Sequence, residues 1–218
     1  MNYSNKKILF GTVFAVLLVV LTVGGMSVYT LFKTNTTVGE ADRINKNTPM
    51  FVFDKSTMPG WYSGGNNWVD ASSFTGDQAA KDDLPVADIS LHQCKDLKKC
   101  DSSKDMIGGN CFAMLSYRKY PVEPEAAVSK KLKNNTQFGD MVVREVGVKK
   151  LSLRTSEGDR RYDLHQYDYE AKGDNSMMRG NALGFVSLGD AHVEVQTVCT
   201  EASQLDDALP VLSSVSLR

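Results

Sequence analysis

The residues best suited to chemistry crowd into one stretch, "HQCKDLKKCDSSKDMIGGNC", which runs from His92 to Cys111 and holds three of the four cysteines. His92-x-Cys94-x5-Cys100-x10-Cys111 has the composition of a four-ligand metal set. Structural zinc sites, however, use C-x2-4-C pairs on tight knuckles, and the five-residue spacer does not match. An even number of cysteines in an oxidising compartment reads instead as disulfides. Three connectivities are open on spacing alone. Cys94–Cys100 with Cys111–Cys199 is the favoured one. The first bridge closes a short lysine-rich loop, and the second joins two core-facing strand ends. Closing so long a loop stabilises by about 4–5 kcal/mol in the entropy model. No metal ligand is assigned.

Nucleophile motifs are poor. "SYRK", Ser116 to Lys119, fits S-x-x-K but falls on a strand pattern without a K-T-G partner. "GFVSLG" around Ser187 is not G-x-S-x-G, because Phe185 occupies the required glycine position. His165 and His192 lie in strand patterns with acids nearby (Asp163, Asp168, Glu194), a composition that suits proton transfer and equally suits the solvated face of a sheet. The second use is the one expected, so no catalytic residue is assigned. No phosphate-cradling glycine loop, calcium loop or cofactor motif occurs, and no cofactor is expected. Asn35-Thr36-Thr37 and Asn134-Asn135-Thr136 match the glycosylation sequon.

Compartment follows from the start of the chain. Ile8 to Phe32 is twenty-five residues without an Asp, Glu, Lys, Arg or His. At about 1.5 Å per residue a helix of that length crosses the roughly 30 Å hydrocarbon core. A cleaved signal peptide would have a shorter apolar region and a small-residue cleavage site. A pilin-like leader cut after Gly11 would place Val16 where that family carries glutamate. The run is therefore expected to be a retained transmembrane helix, with 1–7 cytoplasmic. Lys6 and Lys7 precede it, whereas Lys33, Arg43 and Lys46 follow, so flanking charge alone does not orient it. All four cysteines lie beyond it, which places 33–218 outside the cell.

Residues 33–84 read as a stalk and irregular segment, rich in Gly, Ser, Asn and Asp. Trp61, Tyr62, Trp68 and Phe74 could line a carbohydrate or peptide site, but are expected to tack this segment onto the domain through apolar burial.

Residues 85–218 carry sharper patterns. "CFAMLSYRKY" reads as a strand with Cys111, Ala113, Leu115 and Tyr117 on one face. "VEPEAAVSKKLKNN" reads as a helix with Pro124 in its first turn. "DMVVREVGVKKLSLRT" and "RRYDLHQYDYEA" read as strands joined by the turn "SEGD". A bulge is expected at Gly147, and another near His165 and Gln166, where the apolar parity changes. "NALGFVSL" and "AHVEVQTVCT" form a further hairpin, and "EASQLDDALPVLSSVSLR" a closing helix distorted by Pro210. The expected class is α+β: an antiparallel sheet with a short helix and a C-terminal helix packed on it, preceded by the transmembrane helix.

"CFAMLSYRKYPVEPEAAVSKKLK", "RRYDLHQYDYEA" and "HVEVQTVCTEASQLDDALPVLSSVSLR" together resemble the PsbP/LpqN-like extracytoplasmic α/β sandwich, over about residues 110–218. In that family a last long strand is followed by a helix and a final S-[FL]-R-like set, here Ser216-Leu217-Arg218. The resemblance implies a small binding or accessory domain held at a membrane. It carries over no cofactor residue.

A net charge of −1 gives no reason to expect nucleic acid. The denser basic residues (Arg118, Lys119, Lys130, Lys131, Lys133, Lys149, Lys150, Arg154, Arg160 and Arg161) could face an anionic cell-surface polymer or an envelope protein, with the bilayer engaged through residues 8–32. The expected function is a membrane-anchored extracytoplasmic binding or accessory domain. The alternative is a tethered hydrolase using a His or Ser.

Overall fold

In the computed structural model, strands dominate the described residues. The structure describes residues 49–68, 85–96, 100, 109–136, 141–171 and 177–218. Residues 8–32, on which the transmembrane helix was expected, lie outside them. So do Phe74, most of the Cys100–Cys111 loop, Asn35-Thr36-Thr37 and the rest of Met1–Thr48, which forms a unit separate from Pro49–Arg218. Among the described residues no helix is long and apolar enough to cross a membrane.

The strands are β1 (Phe51–Phe53), β2 (Trp61–Trp68), β3 (Ala87–Gln93), β4 (Cys111–Arg118), β5 (Met141–Thr155), β6 (Gly158–Ala171), β7 (Met177–Ser187), β8 (His192–Cys199) and β9 (Val215–Leu217). Among the described residues two short helices join them, α1 (Pro124–Thr136) and α2 (Leu205–Ser213), the second preceded by a 3-10 turn at Ala202–Gln204. The expected α+β class, with helices layered on a sheet, is therefore corrected. One nine-stranded sheet in the order β1-β9-β5-β6-β7-β8-β4-β3-β2 makes up most of the unit. All neighbours pair antiparallel except β5 and β9, which run parallel through Arg154↔Ser216.

The sheet curls because its inner face has one thing to cover. Side chains from all nine strands join Leu205, Ala208, Val211 and Leu212 of α2 in a single core. Those four α2 positions follow the helical period, so one stripe of α2 faces the sheet. Pro210 does not break α2, and the final residues form β9 instead of continuing the helix. The edges β1 and β2 then come together: Asn66 Oδ1 accepts from the Phe51 N–H at 2.6 Å, and its Nδ2 donates to the Phe51 carbonyl. A bulge between Ser63 and Asn66, containing Gly65 at φ 84°, makes room for this turn of β2.

Phe51 and Trp61, which fall in the segment 33–84, are core residues of the compact unit Pro49–Arg218.

The outer face holds a second, smaller core. Val128 of α1 packs there with Tyr167, Tyr169, Leu183 and Phe185. Glu123 caps α1 by accepting from the Ala126 N–H at 2.9 Å. This explains the parity change in β6. Tyr162 and Leu164 face the inner core, whereas Tyr167 and Tyr169 face α1. The bulge expected near His165 and Gln166 does not lie in β6. It lies opposite, in β5 between Glu145 and Gly147, the position expected for the first bulge.

Candidate functional site

The disulfides organise the concave end of β4 and β8. Cys111 and Cys199 are direct cross-strand partners with Cα atoms 4.1 Å apart, and their sulfurs are within bonding distance. Cys94 and Cys100 form the other pair, with Cα atoms 5.7 Å apart. No thiol is left for the four-ligand set around His92. His92 instead stacks on Phe112, ring centroids 4.8 Å apart, and its burial lowers the imidazole pKa from the ordinary value.

The acids expected beside His165 are not the ones the fold supplies. His165 Nδ1 lies 3.2 Å from Glu145 of β5 and Nε2 lies 3.5 Å from Glu125 of α1. The ring is thus a tie between helix and sheet. Its two nitrogens point in opposite directions, so these carboxylates cannot share one metal ion with it. Asp163 and Asp168 make no such contact with it. His192 is 1% exposed, stacks edge-on against Tyr120 and sets Nδ1 2.7 Å from the Tyr120 carbonyl. Ser116 is buried on β4 opposite Glu194, and Ser187 is exposed at the end of β7.

Glu194 centres a charged cluster beneath α1 that sequence patterns did not single out as a unit. It is 4% exposed, with Lys131 Nζ at 2.8 Å, Arg118 Nε at 3.5 Å and a short hydrogen bond from Gln196. Burial acts to raise its pKa, but Lys131 and Arg118 outweigh it and hold the carboxyl below its ordinary value. Beside it, burial first and then the neighbouring Tyr169 and Glu194 push the Tyr167 phenol well up. The cluster fastens α1 to β4 and β8.

The inner face offers a different arrangement where the core ends. Beyond Leu164, β6 places Gln166 and Asp168 on the inner face, where the start of α2 forms one wall. A cavity of about 140 Å³ opens there, lined among others by Val146 and Lys149 of β5, Gln166 and Asp168, Gly180 of β7, and Asp206 of α2. Two irregularities shape it. Val146 is the extra residue of the β5 bulge, and the β6–β7 register slips between Tyr167 and Tyr169. Gly180, at φ 78°, is required because a Cβ would stand 2.6 Å from the Glu201 carbonyl. Asp168 is 9% exposed, and among the described residues its carboxylate has neither a hydrogen-bond nor an ion-pair partner. Lys149 is drawn to Asp206 instead, at 3.5 Å. A larger hollow, about 260 Å³, lies near Lys150, Arg154, Asp159 and Ser213, but Arg154 and Asp159 there are solvated surface charges.

No family model matches the sequence, and no curated protein matches it. Among solved structures, the solution structure of cyanobacterial PsbP from Synechocystis sp. PCC 6803 is similar, with a TM-score of 0.40 and 13% identity. The match covers 84% of this chain and 97% of that one.

Proposed function

We propose that Pro49–Arg218 is an extracytoplasmic binding or accessory module, held at a bilayer through the apolar run Ile8–Phe32, and that its partner is an envelope protein. The observation that carries this reading is the outer edge of β5. Among the described residues no strand pairs with that edge from Met141 to Leu153. Val142, Val146 and Val148 stand 44%, 57% and 42% exposed along it. An unpaired edge with apolar side chains is a template for association with another chain. The two disulfides support an oxidising compartment. The hydrolase alternative gains no support from His165, since both of its ring nitrogens face carboxylates and neither faces a serine.

A photo-crosslinking residue placed at Val146 in cells should give a discrete adduct, and the same residue at Glu157 on the hairpin tip should not. Adducts at Glu157 but not at Val146 would move the binding surface away from β5.

A further inference from the structure

The cavity beside the β5 bulge has a chemistry of its own. Asp168 as a residue is 9% exposed, and its carboxylate opens on the cavity without a partner among the described residues. A carboxylate facing a narrow cavity attracts a cation more strongly than the same group on an open surface, because less water screens the pair. The other charges lining the cavity cancel, because Lys149 and Asp206 face each other. The surplus charge at the site is therefore that of Asp168.

We infer that this cavity is a subsite for a primary ammonium group, the side-chain end of a lysine presented by the partner of the β5 surface. The inference rests on the reading of that surface as the binding face and adds the chemistry it recognises. An ammonium carries three N–H donors and no acceptor. The Asp168 carboxylate supplies charged acceptors. Gln166 adds a neutral one, its Oε1 lying over Gly147, 3.5 Å from where a Cβ there would be. A divalent metal fits the site less well, since calcium takes six to eight oxygen ligands and the cavity lining offers one uncommitted carboxylate. Size points the same way. About 140 Å³ is below the roughly 300–1,000 Å³ of pockets that enclose a whole ligand. It suits one compact head group whose remainder lies outside, along β5.

Arg144 is the internal competitor. It is the cross-strand neighbour of Asp168 and is exposed, and no ion pair joins the two among the described residues. Its guanidinium is a broad planar fork, whereas the ammonium is a compact point charge.

The full chain, labelled for NMR in detergent micelles, would be titrated with N-acetyl-lysine amide. The expected result is a saturable shift of the Gly147, Gln166 and Asp168 amides. It should be weakened roughly ten-fold or more by Asp168→Asn, the loss expected for a charge-assisted hydrogen bond. Arg144→Gln, which leaves Asp168 intact, should tighten binding, and the Nε-acetylated lysine probe should produce no shift. Unchanged amides in the native chain overturn the subsite. So does equal binding by Asp168→Asn or by the acetylated probe, and so does a calcium-induced shift in the absence of an ammonium-induced one. Val146 adducts that persist undiminished in Asp168→Asn cells would leave the β5 surface standing and remove the subsite from it.

Discussion

Asn66 stands in for a strand at Phe51. Its carboxamide accepts from the Phe51 N–H and donates to the Phe51 carbonyl, the same pair of bonds a neighbouring backbone would make. One side chain thereby joins the two edges of a nine-stranded sheet. Asn66→Ala would leave both backbone groups without this partner in a part-buried site, at a cost of about 1–3 kcal/mol in urea unfolding. Asn66→Asp keeps the acceptor and loses the donor, so it should fall between the two. Equal stability of Asn66→Ala and the native chain would mean that water replaces the carboxamide and the closure contributes nothing.

The two disulfides should differ in weight. Cys111–Cys199 spans 88 positions and Cys94–Cys100 spans 6. In the chain-entropy model these loops correspond to roughly 4–5 and roughly 2 kcal/mol. Replacing Cys111 and Cys199 together by alanine should therefore destabilise more than replacing Cys94 and Cys100, as read by denaturant midpoints. Mass mapping without reductant should find no alkylatable thiol in the native protein. Because no thiol remains to bind zinc, a chelator should leave the melting temperature unchanged.

Glu194 sets an acid limit. Its folded pKa lies below the ordinary 4.5, because Lys131 and Arg118 overcome the burial that opposes its charge. A carboxyl with a depressed folded value contributes stability that is complete above its unfolded pKa and is lost as pH falls through the folded one. The native chain should thus lose stability below about pH 4.5, in the range where unfolded carboxylates take up protons. Glu194→Gln should flatten that part of the curve. At neutral pH it should cost about 1–3 kcal/mol, since Arg118 and Lys131 would face a neutral group. Hydrogen exchange in α1 should rise with it, because Lys131 is the helix's contact with this carboxylate. An unchanged acid limb would show that other carboxylates set it.

Local alternation made much of the sheet legible. Cys111, Ala113 and Leu115 on β4, and Val193, Val195, Thr197 and Cys199 on β8, point inward as their spacing requires, and "SEGD" and "GD" turn where their composition indicates. What could not be read depends on distant partners. "FVF" and "VSL" are three-residue strands that exist because each pairs with the other, at opposite ends of the Pro49–Arg218 unit. "WYSGGNNW" has the composition of a loop and becomes β2 because β3 lies beside it. The parity change in β6 was visible, yet its cause is burial on both faces, which one strand cannot reveal. Asp168 was noted only as an acid near His165. It lies on the opposite face from that ring, and its cavity is assembled by the β5 bulge, Gly180 and α2, none of them adjacent to it in sequence.

Thr197 yields the one substitution expected to stabilise. Its side chain is fully buried in the inner face between Ala113 of β4 and Ala182 of β7, and Oγ1 has no hydrogen-bond partner among the described residues. A hydroxyl desolvated without a partner costs about 1–3 kcal/mol on the scale of protein substitutions. Valine has nearly the same shape and no polar atom, and its β-branch suits a strand equally well. Thr197→Val should therefore raise stability by about 1 kcal/mol in denaturant unfolding, with the slope unchanged. Thr197→Ala should lower it, because the methyl group is lost and a void remains. If Thr197→Val were destabilising, the hydroxyl would be engaged, and the inner face would hold a polar group or ordered water that Oγ1 reaches.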